Sequence, residues 1–219
     1  HPVAQKFIKA CGVPLAAPSA NVSGKPSPTN AEHVYHDLKG KINYILDGGD
    51  SEFGIESTVI KVGDDRVEIL RPGKITVDDL LKVVSTVTID DGVFTQMDEA
   101  EIAASPGMKY QHYSPLANVI MVEGTLTDFC YYVSKHADEH TGVLVFNGEE
   151  SLFSIPCVTM GKKSDSISQA NRLFDALREL DEQNEIKTVF ARVPKQSGVG
   201  LAVYNRLLRA CGFEVVSMD

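Results

Sequence analysis

The sequence predicts an α/β protein in two parts, an open twisted sheet followed by a smaller parallel sheet covered by helices. Three observations carry that expectation. Helical and strand periods alternate from Val119 to the end, a hairpin pattern stands near residue 65, and an aperiodic stretch from about Thr88 to Pro115 separates the two.

Taken in order, Val3, Phe7, Ile8 and Cys11 recur at helical spacing and Gly12 stops that helix, handing over to a strand at Val13–Ala17. The next run, Pro18-Ser-Ala-Asn-Val-Ser-Gly-Lys-Pro-Ser-Pro28, is too rich in Pro, Ser and Gly to be regular and reads as a loop. Thr29 with Glu32 makes a capping box for a helix to about Lys39, and Tyr44–Leu46 reads as a short strand closed by Asp47-Gly48-Gly49. Ser57–Val62 and Val67–Leu70 flank Gly63-Asp64-Asp65-Arg66 as a hairpin, which Arg71-Pro72-Gly73 ends. Thr76 then opens a helix through Val84.

The second part reads as strand Val119–Val122, helix Asp128–His140, strand Gly142–Phe146, helix Ile167–Leu180, strand Lys187–Val193, helix Leu201–Cys211 and strand Glu214–Ser217. Such alternation needs helices on both faces of a parallel sheet, a small Rossmann-like unit. The expected divisions are residues 1–88, a linker over 89–116, and 117–219.

Composition narrows the function. An apolar content of 43 % supports a packed core, and 21 basic against 30 acidic residues give a net charge of −9. That sign is wrong for a module whose affinity comes from neutralising nucleic-acid phosphates. No run nears the roughly 18 apolar residues of a membrane span and no signal peptide precedes the first helix, so the chain reads as cytoplasmic. Cys11, Cys130, Cys157 and Cys211 form no C-x-x-C pair and are expected to be reduced core thiols. Opening on His1-Pro2 inside a helical pattern, the chain also reads as truncated.

The Ser/Asn/Lys loop concentrates the candidate chemistry. Ser19, Asn21, Ser23, Lys25, Ser27 and Thr29 place alternate donors on a loop leaving a strand end, which suits phosphate oxygens. A solvated loop of turn formers has the same composition. The G-x-x-x-x-G-K-[ST] spacing of a P-loop is absent. The pairs His136/His140 and His33/His36 have metal-ligand spacing but lack the Glu of H-E-x-x-H, so no metal site is expected. Asp98-Glu99-Ala-Glu101 reads as a solvated linker face and Ser197-Gly198-Val-Gly200 as a helix start.

The run Pro14-Leu-Ala-Ala-Pro-Ser-Ala-Asn-Val-Ser-Gly-Lys-Pro-Ser-Pro-Thr29 resembles the signature of the YrdC-like catalytic domain of threonylcarbamoyl-AMP synthases. Gly54-Ile-Glu-Ser-Thr-Val59, Ile69-Leu-Arg-Pro-Gly73, Ser105-Pro-Gly-Met-Lys-Tyr-Gln-His-Tyr-Ser-Pro115 and Gly198-Val-Gly-Leu-Ala-Val-Tyr-Asn-Arg-Leu207 are similar to further blocks of the two-domain form, in the same order. The resemblance covers essentially the whole chain. It implies condensation of L-threonine, bicarbonate and ATP, with Mg²⁺, to threonylcarbamoyl-AMP and pyrophosphate, the product passing to a separate tRNA-modifying threonylcarbamoyl transferase. By the same resemblance Ser19, Asn21, Ser27 and Arg71 are ATP contacts, with Ser19 and Asn21 catalytic. His112 and Tyr113 lie back over the nucleotide, and Ala17 and Ser57 bind threonine. The family's Lys-x-Arg element has no counterpart here, so the fragment alone is expected to be inactive. An RNA-binding module or a non-catalytic regulatory module is the alternative, with direct tRNA binding disfavoured by the acidic balance.

Overall fold

The computed structural model describes residues 1–96, 114–183 and 185–218. Helix α1 (Pro2–Cys11) begins with Pro in its first turn and ends on Gly12 in the left-handed conformation, as its sequence requires. Helix α2 covers Ala31–Leu38. Strands β1 (Val59–Gly63) and β2 (Arg66–Arg71) form the expected antiparallel hairpin, with Val62 opposite Val67. The short helix α3 (Val77–Leu80) starts at the expected Thr76, whose side chain and that of Asp79 cap each other's backbone N–H groups. Strand β3 (Thr86–Ile89) then pairs parallel to β2, so the first sheet is mixed and runs to Ile89.

The second sheet is wholly parallel. Its strands are β4 (Asn118–Glu123), β5 (Thr141–Val145), β6 (Cys157–Thr159), β7 (Thr188–Arg192) and β8 (Val215–Ser217), in spatial order β6-β5-β7-β4-β8. Helices α5 (Ser166–Glu182) and α6 (Val199–Ala210) cover one face, where Leu173, Leu177, Val203 and Leu207 pack on Val119, Met121, Leu144 and Val189. Helix α4 (Leu126–His136) covers the other, with Phe129 and Val133 against Val122, Val143 and Phe190. Successive strand residues therefore feed opposite cores, the period-2 rule applied to a sheet buried on both sides. No helix among the described residues is long and apolar enough to cross a membrane.

Several sequence expectations need correction. Neither Val13–Ala17 nor Tyr44–Leu46 is a strand, because no described strand runs alongside to pair their backbone; Tyr44 is 89 % exposed. The cap of α2 is Asn30, which accepts from the His33 N–H, rather than Thr29. The helix from Thr76 stops at Leu80, well before Val84. Helix α4 stops at His136 because Asp138 folds the chain back, accepting from the Thr141 hydroxyl at 2.6 Å and the His140 N–H at 2.9 Å. Strand β6 was not expected. The cysteines are free, yet only Cys211 is buried, Cys11 is exposed and the other two are intermediate. Burial pushes the Cys157 and Cys211 thiols up to about 11, which leaves both poor nucleophiles.

Candidate active site

The Ser/Asn/Lys loop is built around a tight turn. The Lys25 N–H donates to Val22 O at 3.1 Å, and the Asn21 amide clamps the turn by donating to Val22 O at 2.9 Å and Lys25 O at 3.0 Å. That use of its amino group leaves the Asn21 carbonyl, Oδ1, buried and without a partner among the described residues. A buried acceptor left so is costly unless a ligand supplies a donor.

Ser27 donates its hydroxyl to Glu56 Oε1 at 2.9 Å. An ionised carboxylate accepts only, so the Ser27 proton is committed and its lone pairs are what it offers outward. Ser57, the next residue, is exposed, and its carbonyl accepts from Arg71 Nε at 3.1 Å. The Arg-Pro-Gly block meets the Glu-Ser-Thr block because Gly73 has no side chain: a Cβ there would lie 2.3 Å from the Thr58 nitrogen. The Thr58 hydroxyl completes the seam, donating to Ile75 O at 2.8 Å and accepting from the Ile75 N–H at 3.1 Å. Ser27, Ser57 and Arg71 are thus connected through Glu56 and the Ser57 carbonyl, and Asn21 stands on the same loop as Ser27. Ala17 and Ser19 are exposed at the entrance to the loop, and among the described residues no hydrogen bond ties either to the group. His112 and Tyr113, with Met108 and Tyr110 and the acidic run at residues 98–101, lie outside the described residues.

Reading the sequence missed the residues that hold this surface in place. Arg206, fully buried on α6, donates through Nε to Glu56 Oε2 at 2.7 Å, through Nη2 to Glu56 O at 3.3 Å and through Nη1 to Asn205 Oδ1 at 2.8 Å. Arg178 on α5 grips both oxygens of Asp37, at 3.1 and 2.8 Å, and also donates to Pro26 O at 2.5 Å. Asp37 in turn accepts from the Val22 N–H at 3.3 Å, and the Thr29 hydroxyl donates to Asp175. Gly54 lets the irregular segment leading to Glu56 lie on α5, since a Cβ would meet Asn171 O at 2.7 Å. One signal was available: arginines inside the apolar run of α6 cannot be buried unpaired.

The charges follow from these contacts. Burial opposes ionisation of Asp37, but the hydrogen bond and charge of Arg178 outweigh it and hold the carboxyl at about 2. Burial likewise works against the Glu56 anion, and Arg206 outweighs it, so its pKa lies below the usual range. His33 accepts from the Thr29 N–H through Nδ1 at 3.3 Å, and burial and the charge of Arg178 lower its pKa. Between α2 and the end of α5 opens a cleft of about 910 Å³, lined by Lys25, His33, His36, Lys39, Arg178 and Asp181; Ser19, Ser57 and Arg71 are not among its walls.

Mg²⁺ prefers carboxylates and water around it. The described surface offers one unpartnered amide oxygen, Asn21 Oδ1, while Glu56 is engaged by Arg206 and Ser27. That donor set does not fit a protein-held Mg²⁺, and no step is assigned to the ion.

Residues 75–212 match the family model described as threonylcarbamoyl-AMP synthase, C-terminal domain, and residues 1–73 one described as telomere recombination. A threonylcarbamoyl-AMP synthase from Bacillus subtilis is 41 % identical over 219 residues, which cover 99 % of this chain and 62 % of that protein. One from Pyrococcus abyssi is 38 % identical, over 100 % of this chain and 64 % of its own length. The crystal structure of P. abyssi Sua5 complexed with L-threonine superposes with a TM-score of 0.86 at 36 % identity, covering 100 % of this chain and 64 % of that one. The chain therefore spans a little under two thirds of the relatives it matches. Matched along both of its sheets, the chain belongs to the threonylcarbamoyl-AMP synthase family.

Proposed function

We propose that this chain supplies part of the active site of an ATP-dependent nucleotidyltransferase, L-threonylcarbamoyladenylate synthase. In that reaction threonine and bicarbonate form a carbamate, whose carboxyl oxygen attacks the α-phosphate of ATP and expels pyrophosphate. Threonylcarbamoyl-AMP then passes to a tRNA-modifying transferase. The observation that carries the reading is the meeting of three sequence-distant blocks on one surface, through the Ser27–Glu56 bond and the Arg71–Ser57 bond.

Adenylyl transfer asks the protein mainly to hold the acceptor in line and to offset phosphate charge. Ser19 is the exposed hydroxyl donor, Arg71 the planar cation, and the Asn21 carbonyl the acceptor for a ligand N–H or O–H. Ser27 faces the nucleotide with its lone pairs, and Ser57 with the backbone at Ala17 holds the threonine. The family resemblance extends the nucleotide role to His112 and Tyr113. The 219 residues hold no Lys-x-Arg element and span under two thirds of these relatives, so on this reading turnover needs residues beyond these 219 and the assays use the longer protein.

Ser19→Ala and Asn21→Ala should each lower ATP-dependent pyrophosphate release by about tenfold or more, the first by losing a charge-assisted bond to phosphate, the second by losing the ligand's acceptor together with the clamp on the turn. Rates within twofold of the parent would remove the assignment. Direct tRNA binding is not proposed. A filter-binding titration in rising salt tests that, because RNA binding would weaken steeply with salt.

A further inference from the structure

Arg206 does not face the proposed substrate surface, yet two halves of that surface hang from it. Its Nε holds Glu56 Oε2 at 2.7 Å, while Glu56 Oε1 takes the Ser27 hydroxyl at 2.9 Å. Its Nη2 holds the carbonyl of Glu56 itself, the peptide that leads into Ser57. Its Nη1 is fixed by Asn205, whose amide donates to Val93 O at 2.8 Å and so anchors the guanidinium on a second side.

The arginine side chain is 0 % exposed and that of Glu56 only 19 %. A carboxylate held this close to a site for triphosphate would repel the ligand unless its charge were balanced, and a buried cation would be untenable without an anion. Each solves the other's problem. The planar fork reaches carboxylate, carbonyl and amide at once, which the single ammonium of lysine cannot do.

We propose that Arg206, carried by the parallel-sheet region, is a positioning residue for both substrate sites of the other region, setting Ser27 of the nucleotide loop and Ser57 of the threonine site through Glu56. The inference rests on the reading of those two serines given under Proposed function. Arg178 supports the same loop from its other side through Asp37 and Pro26, so the loop is tied to the helices of the second sheet at two points.

The test is calorimetric binding of ATP and of L-threonine, separately, to the full-length protein well below its melting temperature. Arg206→Met should weaken both ligands by about fivefold or more, and Arg206→Lys should restore only part of the loss. Ser27→Ala should weaken ATP in the parent but add less than about twofold in the Arg206→Met background, since the arginine acts through that serine. Should Arg206→Met not fold, Glu56→Gln makes the test through the carboxylate: with its one oxygen kept on Arg206 Nε, the amide NH2 can only donate to Ser27, which reverses that bond, frees the Ser27 proton and should change ATP affinity. Lowered melting with both affinities unchanged would reduce Arg206 to a structural tie and overturn the proposal, as would independent, multiplying effects of Ser27→Ala and Arg206→Met. ATP binding lost in Ser19→Ala and Asn21→Ala but kept in Arg206→Met sinks this inference alone. Binding kept in all of them sinks the nucleotide reading of the loop.

Discussion

Residues 114–218 and residues 1–96 solve the problem of burial in opposite ways. The first set closes two cores around its own five-stranded sheet, with Phe129, Phe174, Leu173 and Met121 fully out of solvent. The second buries Val67, Ile69 and Leu70 of its three-stranded sheet and Leu80 of α3, while the apolar stripe of α1 stays half exposed at Val3, Phe7 and Ile8. Part of its order is borrowed: Ile55 and Phe53 pack into the core of the parallel-sheet region, and Arg178 and Arg206 reach out from that region to its acids. A stable scaffold therefore supports a more open surface that carries the proposed site, a division often seen where loops bear function.

Cutting the chain tests this contrast most severely. Residues 114–219 expressed alone should melt cooperatively, whereas residues 1–96 alone should show no cooperative transition by circular dichroism; a sharp melt of the 1–96 piece would end the comparison. Next in size is Arg178→Met, which leaves Asp37 charged at 1 % side-chain exposure and should cost about 3–5 kcal/mol in urea unfolding. Adding Asp37→Leu should recover most of that loss, and failure to recover it would mean the pair is not the tie.

Gly73→Ala should cost about 1–3 kcal/mol, because its Cβ would meet backbone at the Ser57–Thr58 seam and strands must shift. A neutral result would show the seam to be loose. Acid should act through the same interface. Asp37 is held at about 2 against its ordinary 3.8, so the native state binds fewer protons than the unfolded one. Its stabilisation, about 2 kcal/mol, is complete above about pH 4 and drains away as pH falls toward 2. Asp37→Asn should remove that part of the slope, visible in melting curves taken from pH 5 to 2; an unchanged slope would reassign it. The smallest effect expected is on ligand choice. Ser57→Ala should raise the KM for threonine by about fivefold, and that for ATP less, as loss of one hydrogen bond implies; equal effects would place Ser57 outside the amino-acid site.

Legibility followed the same divide. The helices and strands after Val119 could be read because apolar spacing is a local signal, even though the strands that close the core are far apart in sequence. Strand β6, three residues long, was too short to show a period. Thr29 and Asn30 are both able caps, and what separated them was Asp175, which takes the Thr29 hydroxyl from 146 positions away. Among candidate site residues, Ser27, Ser57 and Arg71 were identified by motif, but no spacing rule could join Ser27 to Glu56 or Arg206.

Local chemistry in the chain was enough for the period of the longer helices and strands, the stop at Gly12, the cap at Thr76, the hairpin and the membership of the blocks in one family, since these depend on residues within a turn or two of each other or on a run of letters. The pairing partners of the extended segments, the orientation of the loop hydroxyls and the balance of Asp37 and Glu56 by two distant arginines came only with the fold. Each of these is a satisfaction problem, of a backbone group or of a buried charge, and its answer lies wherever folding happens to bring a partner within 3 Å or so.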